Sequence, residues 1–176
     1  VGNGAEMLVR RALEDSVDPA AVNAVSRDDL QTALALFLRC YGHCNGDQSR
    51  LYPGVPETLD QFRLQGIPLA VVTNKPRQFA QPLLEKLELS QYFTLLLGGD
   101  CLDRKKPDPL PLQHCCEHYG VVPQCCLMVG DSRNDIEAAK AAGFVSAALT
   151  YGYNYGEPVA ASNPDWLLTQ FEELAL

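Results

Sequence analysis

The chain has 176 residues, 47% of them hydrophobic and 20% charged. That is enough apolar side chain for one domain with a sizeable core, and it excludes wholesale disorder. A formal net charge of −8 excludes the broad basic face that nucleic acids and anionic membranes select, but not a small anionic ligand in a local positive pocket.

Residues 1–50 read as helical, with no strand pattern. Ala5, Leu8, Val9, Ala12 and Leu13 recur on one face. Ser26, before Arg27-Asp28-Asp29, predicts an N-cap for a long helix whose stripe is Leu30, Ala33, Leu34, Phe37 and Leu38. The opening VGNGAEMLVRRALEDS lacks the apolar core and cleavage site of a signal peptide, and the chain has no run of about eighteen apolar residues. A cytoplasmic location is the expectation. The turn 51-LYPGVPE-57, with two prolines and a glycine, divides this helical part from the remainder of the chain.

Beyond it, helices and short apolar runs alternate. A helix over about 56–65 precedes the strand 69-LAVVT-73, and one over about 76–88 precedes 94-TLLLG-98. A helix over about 109–119 precedes 126-CLMVG-130, and one over about 133–142 precedes 145-VSAALT-150. A short strand near 165–168 and a last helix to Leu176 complete the chain. Strands that are continuously apolar read as parallel strands covered on both faces, so the expected fold is α/β, a doubly wound Rossmann-like parallel sheet. The seven cysteines, 40, 44, 101, 115, 116, 125 and 126, form a poor disulfide framework. They predict reduced thiols, buried or half-buried, in a reducing compartment. Cys40 and Cys44 have no second pair at matching spacing to complete a zinc site.

Ligands of such sheets bind beyond the carboxyl ends of the strands. The first strand ends in Thr73-Asn74-Lys75-Pro76, where a hydroxyl and free helix N–H groups could cradle a phosphate or simply cap a helix. After the second strand, 103-DRKKPDP-109 holds Lys106 between a basic neighbour and Pro107. Two prolines stiffen the segment, which could aim the lysine into a pocket or be an ordinary solvated turn. The third strand runs into Gly130-Asp131-Ser132, with Asp135 one helical turn on. One carboxylate at a strand end can bind a hard cation such as Mg²⁺, and an acid at a helix start also serves as a cap. A hydroxyl, a lysine and an acid pair at three successive strand ends together make an anion site with a metal beside it, which is phosphoryl-transfer equipment.

These residues resemble the haloacid dehalogenase superfamily of phosphatases. Thr73, the lysine of 106-KPDP-109 and 130-GDSRND-135 match its second, third and fourth motifs in order. The finer pattern, VVTNKP, KPDPLPL, GDSRNDIEAA and 151-YGYNYGEP-158, resembles the bacterial phosphoglycolate phosphatases of that superfamily. VGNG resembles the start of their helical cap. The resemblance implies a helical cap domain over 1–50 and a core over 51–176. It also implies a small phosphorylated substrate and Mg²⁺ as cofactor. Thr73 and Asn74 would bind phosphate, Lys106 would balance the charges of phosphate and nucleophile, Asp131 would ligate the metal, and Asp135 would support it or add a ligand. Lys106→Ala is expected to cost turnover more than stability.

The first motif of that superfamily, an apolar strand ending in D-x-D-G-T, is absent from the sequence. The resemblance therefore implies that the nucleophile and its central strand belong to a segment before residue 1, and that residues 1–176 alone are inactive and poorly folded. A related pyrophosphatase or phosphosugar mutase, or a non-catalytic phosphate- or metal-binding module, are the competing readings.

Overall fold

The structure, a computed structural model, describes residues 2–16, 26–154 and 156–175. Val1, Tyr155 and Leu176, each part of a segment read from the sequence, lie outside the described residues. Two helices open it, α1 (Ala5–Ser16) and α2 (Arg27–Cys44), and they pack on each other. Ser26 caps α2 as expected: its side chain accepts from the Asp29 N–H at 3.1 Å. Leu30 is buried and Ala33, Leu34, Phe37 and Leu38 are half-buried or partly exposed, so the apolar stripe is the packed face.

The remaining elements alternate: α3 (Val55–Leu64), β1 (Ala70–Val72), α4 (Arg77–Lys86), β2 (Leu95–Leu97), α5 (Leu110–Tyr119), β3 (Leu127–Gly130), α6 (Arg133–Ala142), β4 (Val145–Leu149) and β5 (Trp166–Leu168). The α/β class and the parallel pairing match the expectation. Helices α5 and α6 stop where they do because Gly120 and Gly143 take the left-handed conformation, with φ of 64° and 78°, which a side chain would resist. The last expected helix is instead one 3₁₀ turn, Phe171–Leu174. There the Glu173 carboxylate folds back onto the N–H groups of Thr169 and Gln170 and caps the start of the turn.

The strands form two parallel ladders. β1 pairs with β2, Val71 opposite Leu96, and β3–β4–β5 form a second sheet with Val129 opposite Ala147 and Ala148 opposite Leu167. A cluster of Leu112, Ala138, Ala139 and Ala142 binds the two together: Val72 of β1 and Met128 of β3 both pack against it. The small residues of α6 permit this close approach of helix to sheet. Ile136, Ala148 and Val159 form a neighbouring cluster.

Coverage on both faces holds only for β4, where four of five residues are buried. β1 is half-buried throughout and Leu127 of β3 is 40% exposed. The difference lies in the ladders. Thr94 N–H donates to Leu69 O and Thr73 N–H to Leu97 O, so residues 69, 71 and 73 face β2, while Ala70 and Val72 face away. By the same alternation, Val145 N–H on Cys126 O turns Leu127 and Val129 away from β4. Each of β1 and β3 thus carries one edge without a strand partner among the described residues.

The cysteines are free thiols, as expected, but their burial is not uniform. Cys115 and Cys116 are buried, whereas Cys40, Cys44 and Cys125 are exposed. Cys40 and Cys44 fall in the last turns of α2, where both are exposed. Among the described residues, no helix is long and apolar enough to cross a membrane.

Candidate active site

The carboxyl ends of β1 and β3 open on one cleft of about 310 Å³. Thr73, Asn74, Lys106, Asp131 and Asp135, drawn from three separate loops, all line it. Gly2, Gly4, Leu8, Phe37 and Tyr41 line its other side from the N-terminal helical part. The convergence is a product of parallel topology, which brings every strand's carboxyl end to the same side of the sheet.

Asp135 is the most constrained of these groups. Its Oδ1 lies 2.6 Å from Lys106 Nζ, and both side chains are more than nine-tenths buried. Its Oδ2 accepts from Ser132 N–H at 3.1 Å, Ser132 Oγ at 2.8 Å and Asp131 N–H at 3.2 Å. This is the capping box at the start of α6. Both oxygens are engaged, so Asp135 acts as a support for the loop and for Lys106. The space for it exists because residue 130 is glycine: a Cβ there would fall on the Asp135 side chain.

Lys106 Nζ also donates to Val72 O at 2.5 Å, a carbonyl on the unpartnered edge of β1. Lys106 is therefore not a solvated turn residue. A buried ammonium with a buried carboxylate partner is a structural element too, because removing one charge strands the other.

Asp131 stands apart from that network. Its Oδ2 accepts from Tyr153 N–H at 3.0 Å, and its Oδ1 accepts from no other residue among those described. Burial pushes its pKa up from the ordinary value and the negative charge of Asp135 adds to this, against the Tyr153 hydrogen bond and Lys106. A Cβ at Gly152 would overlap the Asp131 carboxylate, so glycine there leaves its place open. A half-buried carboxylate under this penalty gains most from a cation at its open oxygen. The donor set fits Mg²⁺, which binds through one or two carboxylates and keeps its other positions for water and phosphate. Among the described residues, no group of three or more His, Cys, Asp or Glu side chains gathers to hold a metal by itself.

Thr73 Oγ1 accepts from Lys75 N–H at 3.1 Å and keeps its own O–H to donate. Asn74 differs. Its Nδ2 donates to Gly2 O and to Lys106 O, each at 2.8 Å, and its buried Oδ1 meets no donor. In this arrangement Asn74 offers an acceptor to whatever lies beside it. Two cleft residues escaped the sequence analysis. Lys75, next after Asn74, reaches Tyr41 OH at 2.7 Å and Asn45 Oδ1 at 3.4 Å. Tyr41 stacks on Phe37 and meets Phe79 edge-on. The signal for Tyr41 was its place four residues after Phe37 on the same helix face.

Comparisons with known proteins identify the family. The family model described as haloacid dehalogenase-like hydrolase matches residues 2–143. A phosphoglycolate phosphatase of Photobacterium profundum is 49% identical over 176 residues, covering 99% of this chain and 75% of that protein. Phosphoglycolate phosphatase 1 of Pseudomonas aeruginosa is 42% identical over 174 residues, covering 99% of this chain. There the chain spans only 62% of the relative's length. The crystal structure of a predicted phosphoglycolate phosphatase from Haemophilus somnus superposes with a TM-score of 0.91 at 42% identity, over 98% of this chain and 76% of that one. CbbY of Rhodobacter sphaeroides, solved in complex with phosphate, superposes at 0.73 with 25% identity, over 98% and 75%. With strand ends, motif order and overall superposition in accord, the chain belongs to the haloacid dehalogenase-like hydrolases, among relatives of the phosphoglycolate phosphatase type.

Proposed function

We propose that this protein is a Mg²⁺-dependent phosphatase of a small phosphate monoester, with 2-phosphoglycolate as the leading substrate, and that its nucleophile lies on a strand that enters between β1 and β3 from a segment preceding residue 1. The observation that carries the reading is the single cleft in which Thr73, Lys106 and Asp131 meet beside two strand edges lacking partners among the described residues. Asn74 Oδ1, buried without a donor, adds a place for one N–H of such a strand. The names of similar relatives, phosphoglycolate phosphatases, support this choice of substrate.

In this reading the Thr73 hydroxyl donates to a phosphate oxygen. Lys106 lines the cleft and keeps one N–H beyond those given to Asp135 and Val72 O, which would serve the phosphate or the attacking carboxylate. Asp131 holds Mg²⁺, which when bound neutralises phosphate charge and aligns the ester for in-line attack. The incoming aspartate forms an oxygen–phosphorus bond as the ester P–O bond breaks, and a second acid beside it protonates the departing alkoxide. That acid then takes a proton from water, which cleaves the acyl phosphate to release phosphate. Asp135 holds Lys106 and the 131–132 turn in place. Helices α1 and α2 form the cap over this cleft and residues 51–176 the core, with no nucleic acid or membrane surface and a cytoplasmic setting.

The test is hydrolysis of a panel of phosphate monoesters by the full-length protein, with and without Mg²⁺. Turnover of 2-phosphoglycolate that disappears with chelator is the expected result. Preference for a pyrophosphate or a sugar phosphate would move the substrate assignment, and metal-independent turnover would refute the Asp131 role.

A further inference from the structure

Lys75 has an arrangement that phosphate chemistry alone does not require. Its ammonium is half-buried in the cleft wall, 2.7 Å from Tyr41 OH, 3.4 Å from Asn45 Oδ1 and 5.2 Å from the centre of the Tyr41 ring. All of these partners are neutral, and Lys75 forms no ion pair with an Asp or Glu among the described residues. A lysine used only as a surface tether faces solvent; one that is half-buried carries a desolvation cost, which an anion relieves best. Tyr41 in turn is fixed on both sides by Phe37 and Phe79, so the hydroxyl and the ring hold the ammonium in one place. Lys75 and Tyr41 come from the loop after β1 and from α2, opposite sides of the cleft that also holds Thr73 and Asp131.

We infer that Lys75, positioned by Tyr41, is the specificity residue that binds the second anionic group of the substrate, its carboxylate, while Thr73, Lys106 and Asp131 take the phosphate. The inference rests on the phosphatase reading and deepens it. An ester without the carboxylate would leave the ammonium with its neutral partners alone.

Two matched esters test this in the full-length protein: 2-phosphoglycolate and 2-hydroxyethyl phosphate, which has a neutral hydroxymethyl group in place of the carboxylate. Lys75→Met, which keeps the apolar stem against the Tyr41 ring, should raise KM for 2-phosphoglycolate about tenfold, the worth of one hydrogen bond to a charged group. It should leave kcat/KM for 2-hydroxyethyl phosphate within about twofold. Lys75→Arg should recover part of the loss on 2-phosphoglycolate. Equal losses on both esters would make Lys75 a structural tether and overturn the inference, as would no loss on either. Should Lys75→Met fail to fold, Tyr41→Phe carries the same comparison: a higher KM confined to the carboxylate ester supports the pair, and a uniform effect refutes it. Wild-type protein that hydrolyses neither ester overturns the phosphatase reading itself; hydrolysis of both without discrimination in the variants overturns only the Lys75 assignment.

Discussion

Replacing Lys106 with methionine separates the structural role of the buried ion pair from its role in the site. The substitution keeps the stem and removes the ammonium 2.6 Å from Asp135 Oδ1 and 2.5 Å from Val72 O. Breaking one side of a buried pair costs about 3–5 kcal/mol. Asp135 keeps three donors on Oδ2, which places the expected loss near the low end, about 3 kcal/mol. For a chain of this size that corresponds to a fall in Tm of roughly 6–12 °C. Thermal unfolding of the full-length protein, followed by circular dichroism, reads it. Pairing Lys106→Met with Asp135→Asn removes the stranded charge, so the double variant should be more stable than Lys106→Met alone, although its turnover stays lost. A single-variant loss below about 1 kcal/mol, the range of solvent-screened surface pairs, would refute the argument.

Asp131→Asn should stabilise the metal-free protein, since it removes a carboxylate whose charged form burial disfavours; Mg²⁺ should raise the Tm of the wild type and not that of the variant. An unchanged Mg²⁺ shift would place the metal elsewhere. Asp165 accepts from Ser146 N–H at 2.8 Å and Ser146 Oγ at 2.7 Å, and these bonds hold its pKa below the ordinary value. A lowered folded pKa contributes stability above the unfolded value of about 3.9, lost as pH falls through the folded one. Asp165→Ala should therefore lower Tm at pH 7 and converge on the wild type in strong acid; a constant difference at all pH values would deny the charge a role. Reductant should leave Tm unchanged, because all seven cysteines are free thiols and even the neighbouring Cys116 and Cys126 stand with Sγ atoms 3.9 Å apart; a clear drop would reveal a disulfide.

The alternation of apolar runs and helical stripes made the parallel α/β fold legible, because β1 to β4 carry continuous apolar residues and α3, α5 and α6 give way to Gly66, Gly120 and Gly143. The stations at Thr73, Lys106 and Asp131 were legible for the same reason: strand ends can be counted. Side-chain commitments were not. Nothing in the spacing of 106-KPDP-109 and 130-GDSRND-135 says that Lys106 and Asp135 bond to each other, since the contact depends on how closely α6 packs against the sheet. Lys75 and Tyr41 meet across 34 residues, and only the packing of α2 on the loop after β1 brings them together. The half-buried state of β1 and β3 was equally out of reach, because it depends on which edges find a partner.

The central claim is that Thr73, Lys106 and Asp131 form a phosphate-and-metal site that works with a carboxylate strand filling the gap between β1 and β3. Unpaired N–H and C=O groups cost about 1–3 kcal/mol each when buried, and Ala70, Leu127 and Val129 stand on the two edges without a strand partner among the described residues, as does the Val72 N–H, while Val72 O is taken by Lys106. The most direct measurement is Mg²⁺-dependent hydrolysis of 2-phosphoglycolate by residues 1–176 alone, beside the full-length protein at equal concentration. The account predicts turnover only by the full-length protein, and poor or aggregated folding of 1–176. A soluble, cooperatively folding 1–176 that hydrolyses the ester would contradict it, for the carboxylates already present would then suffice.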